Sequence, residues 1–196
     1  AEPEYSVHMV KENEAYREAV HARELGRRLK ALRGVGIFSS FSEEELKTLA
    51  DRLAYAPFAR GDVITRQGMV AHWLYVLVEG EADVWLERDG ERRLLTTLPA
   101  GRVFGEMGML TGEPRRATVT ARSDVECYRL DKAGFEDILR SRPAIAEEMA
   151  AILAERNMQL AQAQEALGAE AREHERSRQH ATLLGKMRAF FKLGER

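Results

Sequence analysis

Gly101-Arg102-Val103-Phe104-Gly105-Glu106-Met107-Gly108-Met109-Leu110-Thr111-Gly112-Glu113-Pro114-Arg115-Arg116-Ala117-Thr118-Val119-Thr120 sets the character of this chain. Gly105 and Glu106 sit on a short glycine-rich turn, and Arg115 returns just ahead of a strand-type run, Ala117-Thr118-Val119-Thr120. The pattern suits a small ligand that carries both an anion and a sugar. Gly105 has no Cβ, so backbone can come close to a ligand there, and the amides of Glu106 to Gly108 could converge on a phosphate. The Arg115 guanidinium would add a charge-assisted bond of about 1.5–3 kcal/mol. The Glu106 carboxylate has lone pairs to accept from a sugar hydroxyl.

Outward from this stretch the apolar residues recur every second position between Tyr55 and Leu130. Tyr75–Val78, Ala82–Leu86, Arg93–Leu98 and Val125–Leu130 read as short strands. Arg60-Gly61-Asp62, Glu79-Gly80, Pro99-Ala100-Gly101 and Ser123-Asp124 mark turns, and Asp89-Gly90 marks a hairpin. Short strands at even spacing predict either a β-sandwich or an antiparallel β-roll of the jelly-roll type. Helical period flanks it. Tyr16, Val20, Leu25, Leu29 and Leu32 line a helix over Glu12–Arg33, and Ser42 with Glu45 forms a capping box before Leu46, Leu49 and Leu53. Asp131 caps a helix carrying Phe135, Ile138 and Leu139, and Pro143 opens another that reaches toward Leu167. The expected class is α+β, with a helical linker at 1–35, the roll and short helices at 36–142, a C-terminal lid helix at 143–167, and a polar then amphipathic helical tail at 168–196.

Composition narrows the function. A net charge of −2 argues against a nucleic-acid binder, which would show a basic excess. Cys127 is the sole cysteine, so no intrachain disulfide forms and a reducing, cytoplasmic setting is expected. No apolar run approaches a membrane span. Ala1 at the start fits either a removed initiator Met or a fragment of something longer. His72 is the only one of the five histidines in the strand zone, and no Ser/His/Asp or Cys/His set emerges. A metal enzyme on a jelly roll would need clustered ligands on the strands, so no catalytic activity, no metal and no cofactor are expected.

The 101–120 stretch closely resembles the phosphate-binding cassette of the cyclic-nucleotide-binding domain family, and the likeness extends over roughly Leu29 to Leu160. The resemblance implies a cAMP or cGMP ligand. It assigns the phosphate to Arg115 with Gly105, Met107 and Gly108, and the ribose 2′-hydroxyl to Glu106. It also sets Val84, Thr96, Leu98, Phe104 and Met107 on the inner wall of the roll, core packing being the competing role for Leu98 and Phe104. Arg116 and Ala117 complete the expected ligand-binding set. At 116 relatives carry Ala, Ser or Thr, and a hydroxyl there goes with cGMP; the bulky Arg116 leaves cAMP as the preference. In channel-type relatives an arginine spaced like Arg156 caps the base from the C-terminal helix, with Leu160 as an apolar lid one turn on. Exposed helix surface is the plainer reading of Arg156.

Two functions remain open on this resemblance. One is a regulatory domain whose flanking helices gate an attached channel or effector, at the cytoplasmic face of a membrane. The other is a standalone bacterial-type sensor acting through partner binding or self-association as a homo-oligomer. The residues after Leu167 are too few for a helix-turn-helix domain. Leu183–Leu193, with Lys186, Arg188 and Lys192 among its apolar residues, could rest on an anionic membrane or pack on its own domain.

Overall fold

The strand from Trp73 to Glu79 explains the architecture. Its side chains alternate between two separate cores: Leu74 and Val76 face a helical layer, while Tyr75 and Leu77 face the inside of a roll. A strand buried on both faces reads as a continuous apolar run, as Trp73-Leu74-Tyr75-Val76-Leu77-Val78 does. The computed structural model describes residues 14–88, 91–162 and 169–193, with side chains described except at 14–15, 88, 91, 156, 159–162 and 169–175.

Among the described residues eight strands form two antiparallel four-stranded sheets. They are β1 (Ala54–Phe58), β2 (Val63–Thr65), β3 (Trp73–Glu79), β4 (Glu81–Arg88), β5 (Glu91–Pro99), β6 (Val103–Phe104), β7 (Thr118–Ala121) and β8 (Val125–Asp131). One sheet runs β1-β8-β3-β6 and the other β2-β7-β4-β5. Between them lie Ala56, Ile64, Tyr75, Leu77, Val119 and Cys127. β4 and β5 pair from Glu81↔Pro99 to Arg88↔Glu91, as a hairpin requires. Its turn, Asp89-Gly90, lies outside the described residues.

Among the described residues six helices flank the roll: α1 (Glu14–Arg33), α2 (Glu43–Arg52), α3 (Glu106–Thr111), α4 (Lys132–Ser141), α5 (Ala144–Gln162) and α6 (Ala169–Phe191), with a 3-10 turn at Gly36–Phe38. The class is α+β, as the residue periods predict. Both expected caps form. Ser42 accepts from the Glu45 amide while Glu45 accepts from the Ser42 amide, and Asp131 accepts from the Gly134 amide. Each such cap is worth about 1 kcal/mol. The larger core packs Leu32, Phe38, Leu49, Phe135, Leu139 and Met149 against the outer face of β3 and β8.

Two elements differ from expectation, α3 and the first half of α1, while the tail forms a single docked helix. Residues after Gly105 form a helix, α3, where glycines at 105, 108 and 112 predict a turn. The polar 169–180 segment and the amphipathic segment after it join in one helix, α6, whose Leu183, Met187 and Phe191 are buried in the helical core. The apolar face of the tail therefore rests on its own domain. In α1, Leu29 and Leu32 are buried and Leu25 packs partly, but Tyr16 and Val20 are exposed.

Candidate ligand-binding site

β6 delivers the chain into Gly105, whose φ of 77° is left-handed, and α3 starts at the next residue. A Cβ at 105 would lie 2.2 Å from an Arg115 guanidinium nitrogen and 3.1 Å from the Trp73 carbonyl oxygen. Glycine is thus demanded twice, by the backbone angle and by the side chain that crosses it. Met107 and Gly108 follow in the first turn of α3, where backbone N–H groups have no partner within the helix.

Arg115 is held at every point. Its backbone N–H donates to the Met69 carbonyl and its carbonyl accepts from the Gly68 N–H, both at 2.8 Å. Its guanidinium donates to the Gly105 carbonyl at 2.7 Å and to the Trp73 carbonyl at 2.5 Å. It lies 5.9 Å from the centre of the Tyr75 ring, which stacks on Phe104 at 5.1 Å. Arg115 is only 8% exposed. Burial lowers its pKa from the ordinary value, opposed by Tyr75 and by the Glu106 carboxylate. Burial likewise raises the Tyr75 hydroxyl. A guanidinium has five donors, so two carbonyl bonds fix its plane and leave others for an anion.

Arg115 lines a cavity of about 430 Å³, within the range of small-molecule sites. Ten residues singled out from the sequence meet on its wall. Val84 and Leu98 come from the β4–β5 hairpin, and Phe104 from β6. Gly105, Glu106, Met107 and Gly108 come from the start of α3, and Arg115, Arg116 and Ala117 from the approach to β7. Thr96 joins them. Glu106 is buried like Arg115. Arg116 is half exposed and donates to Glu113 Oε2 at 2.9 Å. The remaining two, Arg156 and Leu160, fall on α5, and their side chains lie outside the described residues.

Seven wall residues escape a reading of the sequence, Thr65, Leu95, Pro99 and Val119 among them. Asn157 reaches the cavity from α5, and its amide nitrogen sits 3.9 Å from Met107 Sδ. The helical period does not single it out, because Ile145, Met149, Ala150, Leu153, Ala154 and Met158 are buried around more than one face of α5. Arg102 stands at the cavity and is exposed; its place two residues before Phe104 was the available signal. Thr97 also lines the wall, its hydroxyl donating to Asp83 at 2.7 Å. Among the described residues no group of three or more His, Cys, Asp or Glu is poised to hold a metal, and no helix is long and apolar enough to cross a membrane.

Residues 56–142 match the family model of the cyclic nucleotide-binding domain, and the chain carries a domain of that family. It is 35% identical over 109 residues to a cAMP-dependent protein kinase regulatory subunit of Blastocladiella emersonii, a match covering 55% of this chain and 27% of the relative. A regulatory subunit of the same description from Debaryomyces hansenii is 33% identical over 147 residues, covering 70% and 32%. This chain therefore spans about a third or less of those relatives. The fold is shared with the regulatory domain of Toxoplasma gondii PKA, solved with cAMP, at a TM-score of 0.63 and 22% identity, covering 72% of this chain and 52% of that one.

Proposed function

We propose that this chain is a cyclic-nucleotide sensor, with cAMP preferred over cGMP, and that it regulates a partner without catalysing a reaction. One observation carries the reading: a buried arginine, fixed by two carbonyls, stands beside a buried carboxylate on the wall of a cavity otherwise largely apolar. Arg115 and the first-turn amides of α3 would hold the cyclic phosphate, and Glu106 the ribose hydroxyl. Gly105, Gly108 and Ala117 permit close approach. Val84, Leu98, Phe104 and Met107 would face sugar and base. Arg116 supplies no hydroxyl for a guanine, which favours cAMP.

On α5, Arg156 and Leu160 remain lid candidates, joined by Asn157. The similarity to kinase regulatory subunits supports a protein kinase as the effector in place of the channel that the Arg156 spacing suggests. A cytoplasmic setting fits that role. Ligand would shift the population of arrangements open to α1, α4, α5 and α6, and such coupling typically amounts to about 1–3 kcal/mol. Calorimetry with cAMP and cGMP on folded protein stripped of carried-over nucleotide tests the proposal. Saturable heat with cAMP at lower concentration than with cGMP is expected. No heat with either would overturn it.

A further inference from the structure

Glu113 stands between the candidate site and the C-terminal helix. One carboxylate oxygen, Oε2, accepts from Arg116, a residue that also lines the cavity. The other, Oε1, accepts from the Lys186 ammonium on α6. A carboxylate shared by two cations is divided between them: whatever strengthens one pairing weakens the other. Neither cation is deeply buried, so both can exchange partners.

The surrounding contacts hold α6 at this point. The Phe190 ring packs against Gly112, where a Cβ would sit 2.6 Å from a ring carbon. The Phe190 carbonyl accepts from Lys132 at 2.8 Å, with that ammonium 3.9 Å from the ring centre. Leu183, Met187 and Phe191 are buried in the helical core. Lys186 is therefore presented to Glu113 by a docked helix rather than by a loose tail. The Glu113 pKa is lowered chiefly by its bond to Lys186 and further by Arg116.

We propose that Lys186 is a positioning residue of the ligand site, acting through Glu113. By holding that carboxylate it leaves Arg116 available to an anion in the cavity, and an anion that engages Arg116 returns Glu113 to Lys186 and tightens α6. This inference rests on the cyclic-nucleotide reading and gives that site a direct wire to the end of the chain. Thermodynamic reciprocity makes the two halves one statement: if docked α6 favours ligand, ligand must favour docked α6.

The test is a cycle on the full chain, read by calorimetry with cAMP. Lys186→Met should weaken binding up to about fivefold, the range for a half-exposed ion pair. Lys186→Arg should restore it. In a Glu113→Gln background the same Lys186→Met change should have no effect, because the carboxylate it acts through is gone. A purely structural role for Lys186 would instead give the same loss in both backgrounds, and that result overturns the proposal. Amide exchange on the unmodified chain is the second measurement, independent of whether any variant folds. Saturating cAMP should slow exchange across residues 183–193, and unchanged exchange there also overturns it. If the unmodified chain binds neither cyclic nucleotide, the ligand reading falls and this inference with it. If it binds and the cycle is additive, only this inference falls.

Discussion

At the scale of single residues, Arg115 carries a cost that its surroundings explain. A guanidinium this buried gives up solvation, and two carbonyl oxygens with a nearby carboxylate return only part of it. An incoming phosphate would complete the compensation. Arg115→Ala should therefore weaken cAMP binding by about 2–5 kcal/mol, measured by calorimetry, the range for truncating one partner of a buried charge pair. Glu106→Gln should cost less, since a neutral amide oxygen still accepts from a hydroxyl, though more weakly than a carboxylate. The 2′-deoxy nucleotide separates the roles. The unmodified protein should bind it more weakly than the ribose form, and Glu106→Gln should narrow that gap. Equal affinity for the two nucleotides in the unmodified protein would show that Glu106 does not read the sugar.

At the scale of elements, α5 is the part of the wall that comes from outside the roll. Asn157 meets Met107 across the cavity, so its contacts with a ligand would form only once the ligand is seated. Asn157→Ala should leave association nearly unchanged and speed dissociation, the usual way interface changes act, and stopped-flow release of a fluorescent cAMP analogue would measure both. An unchanged off-rate would remove Asn157 from the lid. The elements also differ in how far they are legible in the sequence. β3, β4, β5 and β8 can be read directly because local period and turn residues agree with the fold. So can the caps at Ser42 and Asp131. α3 cannot, because its three glycines are there for reasons outside the segment. Gly108 abuts Ala71, Gly112 abuts Phe190, and Gly105 yields to Arg115. The docking of α6 is hidden likewise, since the apolar positions Leu183, Met187 and Phe191 do not tell which surface covers them. Most of the wall was legible because one contiguous stretch supplies it. Asn157 was not, because adjacent helix positions differ by about 100° and only packing tells which one turns inward.

At the scale of the whole molecule, the two cores share the β1-β8-β3-β6 sheet, so acid–base events in that sheet bear on both. The Cys127 thiol, on the roll side of β8, is pushed by burial from 9.0 to about 12. Tyr128, on the helix side, is raised from 10.0 to about 12 by burial first and then by its bond to Glu24. In both groups the folded state resists ionisation more than the unfolded chain does. Their contribution is fully present below the unfolded pKa and is lost as pH rises toward the folded one. The melting temperature should hold to about pH 8 and fall between 9 and 12 as the unfolded chain gives up these protons. Cys127→Ala should flatten the first part of that fall, where the tyrosine does not yet titrate. A scan whose slope between pH 9 and 10 is the same with and without the thiol would reject the assignment. The same thiol has a practical corollary: fully enclosed and the chain's sole cysteine, it leaves the folded surface blank to maleimide dyes. Cysteines placed at Val70, beside the backbone clasp on Arg115, and at Ser177 on α6 would then be the only labelled positions. A dye pair there would report in real time whether filling the cavity moves the end of the chain.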